Sequence, residues 1–376
     1  MKVYLDNAAT TPLDPEVFET MTPYFMAQYG NPSSIHAYGR EARSAVEKSR
    51  KIIADLLHTS PSEIFFTSGG TEADNTAICT SIDTFGIKHI ITSKLEHHAI
   101  LHTLEFLEKH ENVAVHYVDT NEKGQFNLTH LEALLKTYPK ALVSLMHVNN
   151  EIGNINDIKT IGDLCHEHEA IFHSDTAQAI GKIHHNLQEL KAQFIIGVAH
   201  KFHGPKGTGF MYINGEKKVN PLIHGGGQER NMRGGTENVA GIVGIAKALE
   251  IANRDIDKNK THMLGLKEHM ISGLTNNLSG VQFNGASGDL KNSIYNVLNV
   301  GLPPTDENDM LLFNLDIKGI AASGGSACAS GSSIGSHVLT ALGTDPNRGA
   351  IRFSFSKYTK VEEVDYAVKS LVDIFQ

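Results

Sequence analysis

The stretch AIFHSDTAQAIGKIHHNLQELKAQFIIGVAHKFHGPKG, residues 170–207, contains two apolar runs, AIFHSD and QFIIGV, and polar groups follow both. The runs are short and apolar without alternation, the pattern of strands buried on both faces. Outward from them lie further β-rich runs, EIFFTS, HIITS, VAVHYV and ALVSLMHV, with helical stretches such as 97–109 and 157–168 between. Strand and helix in alternation imply an α/β fold: a mostly parallel sheet covered by helices, right-handed crossovers, and ligands at the carboxyl ends of the strands. Residues 36–57 carry Ala42, Ala45, Val46, Ile52, Ile53, Leu56 and Leu57 along one helical face, which is expected to pack on the sheet.

At 376 residues the chain suits one large domain and a smaller one, with a change near the polar stretch at 252–262. The N-terminal DNAATTP is a turn-forming segment that can pack on the second domain. A net charge of -9 with acids and bases interspersed argues against nucleic acid as a partner. Neither a signal-like start nor a bilayer-length apolar run is present, so no membrane partner and a cytoplasmic address are expected. Three cysteines are too scattered for a disulfide framework. Cys79 and Cys165 sit among apolar neighbours as inert core residues, whereas Cys328, in ASGGSACASGSSIGS, is expected to be an accessible thiol.

Several groups suggest chemistry, each with a plainer explanation. Gly69, Gly70 and Thr71 lie between a strand and a helix, where bare amides suit a phosphate, or form an ordinary turn. Asp175 ends a buried strand and would need a cationic partner, such as a protonated pyridine nitrogen, unless it caps a helix. Lys201 follows the next strand in a Gly- and Pro-rich turn, placed to form a Schiff base with an aldehyde or to remain a solvated charge. His97 offers an aromatic plane and a near-neutral titration. His98 and His102 share a helical face but lack an obvious third metal ligand, so no metal is expected. Arg352 could fork onto a carboxylate or make a structural ion pair, and Asn149 and Asn150 could contact a ligand or a turn.

Taken in order, YLDNAATTP, GNPSS, TSGGTEADN, EHHAI, HVNNEIG, HSDTAQ, AHKFHGPKG, HGGGQERNMRGGTENVAGIVG, SGGSACASG and IRFS resemble the cysteine desulfurases of the bacterial nitrogen-fixation and iron-sulfur-cluster type nearly end to end. The resemblance implies the fold of pyridoxal-phosphate (PLP) transferases, aspartate aminotransferase-like and of fold type I. It puts a large domain with a mostly parallel seven-stranded sheet at residues 14–255. A small α+β domain takes residues 1–13 and 256–376. It also implies a homodimer with sites built from both subunits, L-cysteine as substrate, and removal of its sulfur to leave alanine and a persulfide on Cys328. A selenocysteine lyase and, further off, a PLP aminotransferase are the alternatives.

Matched motif by motif, Lys201 resembles the Schiff-base lysine, Asp175 the pyridine-nitrogen partner and His97 the stacking acid–base residue. Gln178 and Asn150 match contacts to the cofactor's phenolic oxygen and to substrate. Gly70, Thr71 and His200 match the phosphate cup, and Thr236 a residue reaching it from the neighbouring subunit. Arg352 and Asn31 would bind the substrate carboxylate. Val198 stands where many relatives carry Ser or Thr, so one phosphate hydroxyl is expected to be missing and the cofactor to be held less tightly. The sequence ends at Gln376, where housekeeping members continue into a tail that helps dock an iron-sulfur scaffold. The long Ser/Gly-rich loop around Cys328 matches the branch that hands sulfur to protein acceptors.

Overall fold

The computed structural model describes residues 1–305, 308–324 and 335–375; Cys328 lies outside them. The chain opens with a two-residue strand, β1 (Val3–Tyr4), and two helices, α1 (Pro15–Met26) and α2 (Ala37–Leu56). Strands and helices then alternate: β2 (Ile64–Thr67), α3 (Gly70–Phe85), β3 (His89–Thr92), α4 (His98–His110), β4 (Ala114–Tyr117), α5 (Leu128–Thr137), β5 (Leu142–Ser144), α6 (Ile158–Glu167) and β6 (Ile171–Ser174). β7 (Phe194–Val198) and β8 (Gly209–Ile213) complete a seven-stranded sheet of order β2-β8-β7-β6-β5-β3-β4, in which only β8 runs antiparallel to its neighbours.

The expected α/β sheet is therefore present. Every residue of β2, β5, β6, β7 and β8 is buried, which is why these runs are apolar without alternation. Gly197 of β7 lies opposite Phe210 of β8, and a Cβ there would meet the Phe210 ring at 2.2 Å, so the ring itself fills that position. α2 buries Ala42, Ala45, Val46 and Ile53 as expected, but Ile52 is exposed and Arg50 is buried in its stead. That face packs largely on α7 (Val239–Arg254).

The polar stretch near 252–262 is helical, not a linker: α7 passes through Asp255 directly into α8 (Ile256–Asn277). The remaining elements are β9 (Gln282–Phe283), β10 (Val297–Pro304), α9 (Leu311–Ile317), β11 (Ile320–Ala321), α10 (His337–Ala341), β12 (Arg348–Ser354) and α11 (Val361–Phe375). They form a second core in which Leu266, Met270, Val297, Leu298, Phe353 and Leu371 meet Val3 and Leu5. The N-terminus joins it, as expected: β1 pairs in parallel with β11, Asn7 Nδ2 donates to Ser354 O at 2.8 Å, and Asp6 meets Arg352.

Candidate active site

The carboxyl ends of the parallel strands and the N-terminal segment enclose a cavity of about 230 Å³. Gly70, Thr71, His97, Asn150, Asp175, Gln178, His200, Lys201 and Arg352 all line it, joined by Ala8, Ala9, Asp74, Met146, Val148 and Val198. Asn31 and Thr236 are not brought in. Asn31 is exposed in the turn between α1 and α2, where its side chain accepts from Ser33 N, and Thr236 lines a separate cavity with Thr67, Ser68 and Arg233.

Lys201 is delivered by a single 3-10 turn, Ala199–Lys201, that follows β7. Its Nζ donates to Ala8 O at 2.7 Å and Ala9 O at 2.8 Å, so the N-terminal segment holds the amine in place. Asp175 follows β6 directly; its Oδ1 accepts from Ala177 N at 2.8 Å within a turn, not at the start of a helix, and the residue lines the cavity. His97 caps α4 by accepting Ala99 N on Nδ1 at 3.1 Å, which leaves the proton of the neutral ring on Nε2. Burial lowers its pKa and the Lys201 cation adds to this, against the pull of Asp175.

The start of α3 suits an anion. Gly69 makes no side-chain cap, so the first amides of the helix stay available, and a Cβ on Gly70 would stand 3.0 Å from Val198 Cγ2. His200 joins this edge with its Nδ1 3.2 Å from Thr10 Oγ1; burial, aided by Lys201, Lys206 and Lys182, pulls its pKa down to about 4. Arg352, 1% exposed, departs from a free fork: Nη1 donates to Asn150 O at 2.9 Å and Nη2 to Asp6 Oδ1 at 2.8 Å. Its Nε is buried and finds no partner among the described residues.

The sequence did not single out two buried acids here. Asp74 lines the cavity, and burial together with Asp175 and Glu96 raises its carboxyl well above the usual range. Its Oδ1 lies 3.3 Å from His173 Nε2, an imidazole whose pKa burial drops to about 3. Glu96, likewise raised by burial, accepts Met146 N at 2.7 Å. The spacing from Gly70 to Asp74 is one helical turn on the same face, a signal that the polar look of TEADN concealed. Cys79 is half-buried and Cys165 fully buried, and burial raises both thiols, in keeping with inert roles. His98 stacks on His102 with centroids 4.7 Å apart, yet no metal-holding cluster is found among the described residues. No described helix is long and apolar enough to cross a membrane.

The donor set fits PLP: uncapped helix amides for a phosphate, an amine for an aldehyde, a carboxylate for a ring nitrogen, and a guanidinium in the wall for a substrate acid. Residues 3–367 match the class-V aminotransferase family. Over the whole chain, 42% of residues are identical to "Cysteine desulfurase IscS" of Dictyoglomus turgidum, covering 95% of that protein, and 40% to the protein of that name from Methanosarcina thermophila, covering 92% of it. A solved "NifS-like protein" superposes with a TM-score of 0.91 at 40% identity, covering all of this chain and 99% of the other. Another, from Rickettsia africae, gives 0.89 at 31% identity over 100% and 99%. The chain belongs to the class-V aminotransferase family of PLP-dependent enzymes, among its cysteine desulfurases.

Proposed function

We propose that the cavity takes L-cysteine, releases L-alanine, and leaves the sulfur as a persulfide on Cys328 for iron-sulfur cluster assembly or another acceptor. The observation that carries this is the convergence of Lys201, Asp175, His97 and Arg352 on one cavity. Gly70, Thr71 and His200 would hold the phosphate, Asp175 the ring nitrogen, Gln178 and Asn150 the ring oxygen, and Lys201 the aldehyde carbon. Bound there, PLP supplies an electron sink that makes the Cα hydrogen of an attached amino acid acidic.

Lys201, once displaced by substrate, takes that proton at Cα, and Arg352 with Asn150 fixes the carboxylate. His97 donates a hydrogen bond from Nε2; accepting a proton at that nitrogen requires the other tautomer, reached by releasing Ala99 N. The balance needs no outside oxidant. The Cys328 thiol and cysteine become a persulfide and alanine as an S–S bond forms and the substrate Cβ–S bond breaks. A homodimer belongs to this reading, because Thr236 and Asn31 stand outside their own chain's cavity and α1 and the turn after it expose Phe18, Phe25, Met26 and Tyr29.

The test is sulfide and alanine release from L-cysteine with dithiothreitol, run beside Cys328→Ala, with L-selenocysteine as a parallel substrate. Equal yields of sulfide and alanine, with sulfide lost in the variant, are expected. Absence of sulfide from yellow wild-type protein would overturn the assignment, and turnover of selenocysteine alone would favour a lyase.

A further inference from the structure

Behind the catalytic lysine the chain buries a second one. Lys182, 8% exposed, sits four residues after Gln178 in QAIGK, on the turn that leaves β6. Its Nζ donates to Gln178 O at 3.1 Å and to Gln178 Oε1 at 3.3 Å. The other end of the same amide is also held: Gln178 Nε2 donates to Ala8 O at 2.9 Å, the carbonyl that accepts Lys201 Nζ. Lys182, Gln178, Ala8 and Lys201 thus form one connected hydrogen-bond chain.

The Ala8 carbonyl can only accept, so it admits one orientation of the Gln178 amide, and Lys182 Nζ then donates to Oε1. Oε1 faces Lys182, and Nε2 keeps one hydrogen on Ala8 O and has a second to give. Gln178 is itself 4% exposed and lines the large cavity, so water competes little for that second hydrogen. Without Lys182 the buried Oε1 would lose its donor, and rotating the amide to find another would swing the N–H pair away.

We propose that Lys182 is a positioning residue that fixes the Gln178 amide so that an Nε2 hydrogen points to the ring oxygen of PLP. This rests on the reading that Gln178 contacts that oxygen. It also gives a purpose to a buried lysine, which would otherwise be a cost to the fold: burial, and secondarily Lys201, lowers its pKa to about 7. The small cavity behind Lys201 has a mixed wall, with Asp14, His203 and Lys357 facing Ile251, Met263 and Phe355.

The experiment is a two-by-two set of Lys182→Met and Gln178→Leu, each pair of near-equal volume, read by PLP titration of the apoenzyme and by the absorption maximum of bound cofactor. Lys182→Met alone should weaken PLP about tenfold and shift the maximum, as expected for one hydrogen bond between a buried donor and a polar acceptor. In the Gln178→Leu background the same change should add less than about twofold, because sites acting through one contact are not additive. Full additivity, or an unshifted spectrum in Lys182→Met while Gln178→Leu shifts it, overturns the positioning role. A wild-type spectrum in Gln178→Leu instead overturns the underlying contact. Should Lys182→Met not fold, Lys182→Ala removes the same donor and should reproduce the shift, and a wild-type spectrum there would equally refute the inference.

Discussion

Replacing Arg50 with Met should be among the most damaging single changes outside the cavity. Arg50 is 2% exposed on α2, and its Nη1 and Nη2 meet both carboxylate oxygens of Glu229 at 2.8 Å. Glu229 is equally buried and also accepts Phe66 N at 2.8 Å. The pair holds a difficult backbone: Glu229, Arg230 and Asn231 have φ of 46°, 54° and 67°, a left-handed run that costs of the order of 1–3 kcal/mol per residue when nothing compensates it. Arg50→Met leaves Glu229 charged, buried and short of its main partner, a loss of about 3–5 kcal/mol. The Ile64 carbonyl that Arg50 also serves keeps Arg230 Nη2 at 2.8 Å, so it adds little. Urea unfolding of the PLP-loaded protein should show this loss, while Arg50→Met with Glu229→Met should recover to within about 2 kcal/mol of wild type. Limited proteolysis should cut the 229–235 segment faster in the single variant. A single variant within about 1 kcal/mol of wild type would show that the pair does not hold this segment.

Val198→Thr should place a hydroxyl beside the Gly70 amides and tighten PLP about fivefold in titrations, while making the apoenzyme about 1–2 kcal/mol less stable because the site is otherwise apolar; unchanged affinity would dismiss the missing-hydroxyl account. Arg352→Lys loses the planar fork, so KM for L-cysteine should rise about 30-fold with a smaller change in kcat, and a pure kcat effect would contradict carboxylate binding. The imidazoles of His147 and His185 are held near 3 and 4 by burial, against 6.5. Unfolded chains therefore bind more protons below about pH 6.5, and stability should fall as pH drops from there toward 4, by at most about 1.4 kcal/mol per pH unit for each group. The buried acids Asp74 and Glu96 titrate in the opposite sense, so the slope of wild type should be compared with His185→Gln, which should be shallower. Equal slopes would refute the assignment.

The central sheet was legible because strands covered on both faces must be apolar throughout, so IFFT, IFHS and FIIGV declare themselves. Asp175 and Lys201 were legible for the same reason, as polar residues directly beyond such runs. β1 was not, since two residues have no period, and its partner β11 lies more than 300 residues away. Asp74 and Arg50 look like solvated helix residues in sequence and become buried only because other elements cover them. Ile52 errs in the opposite direction: periodicity gives a face, but the neighbours decide how wide the covered stripe is. Thr236 was matched to a residue that serves the neighbouring subunit and stands outside its own chain's cavity, whereas Asn31 was matched to the substrate carboxylate and its motif did not say which copy it serves.

The stitching of the first ten residues onto the second core bears on the order in which the enzyme matures. The partners of Val3 and Tyr4 are Ile320 and Ala321, and Asp6 and Asn7 bond to Arg352 and Ser354. A ribosome issues the two sides of these contacts more than 300 residues apart, and closures of such span are slow to form. Until they form, the Ala8 and Ala9 carbonyls that steady Lys201 have no fixed place, although the sheet that bears the lysine can already be built. A product cut before Ile320 would carry the reactive amine without the frame that directs it.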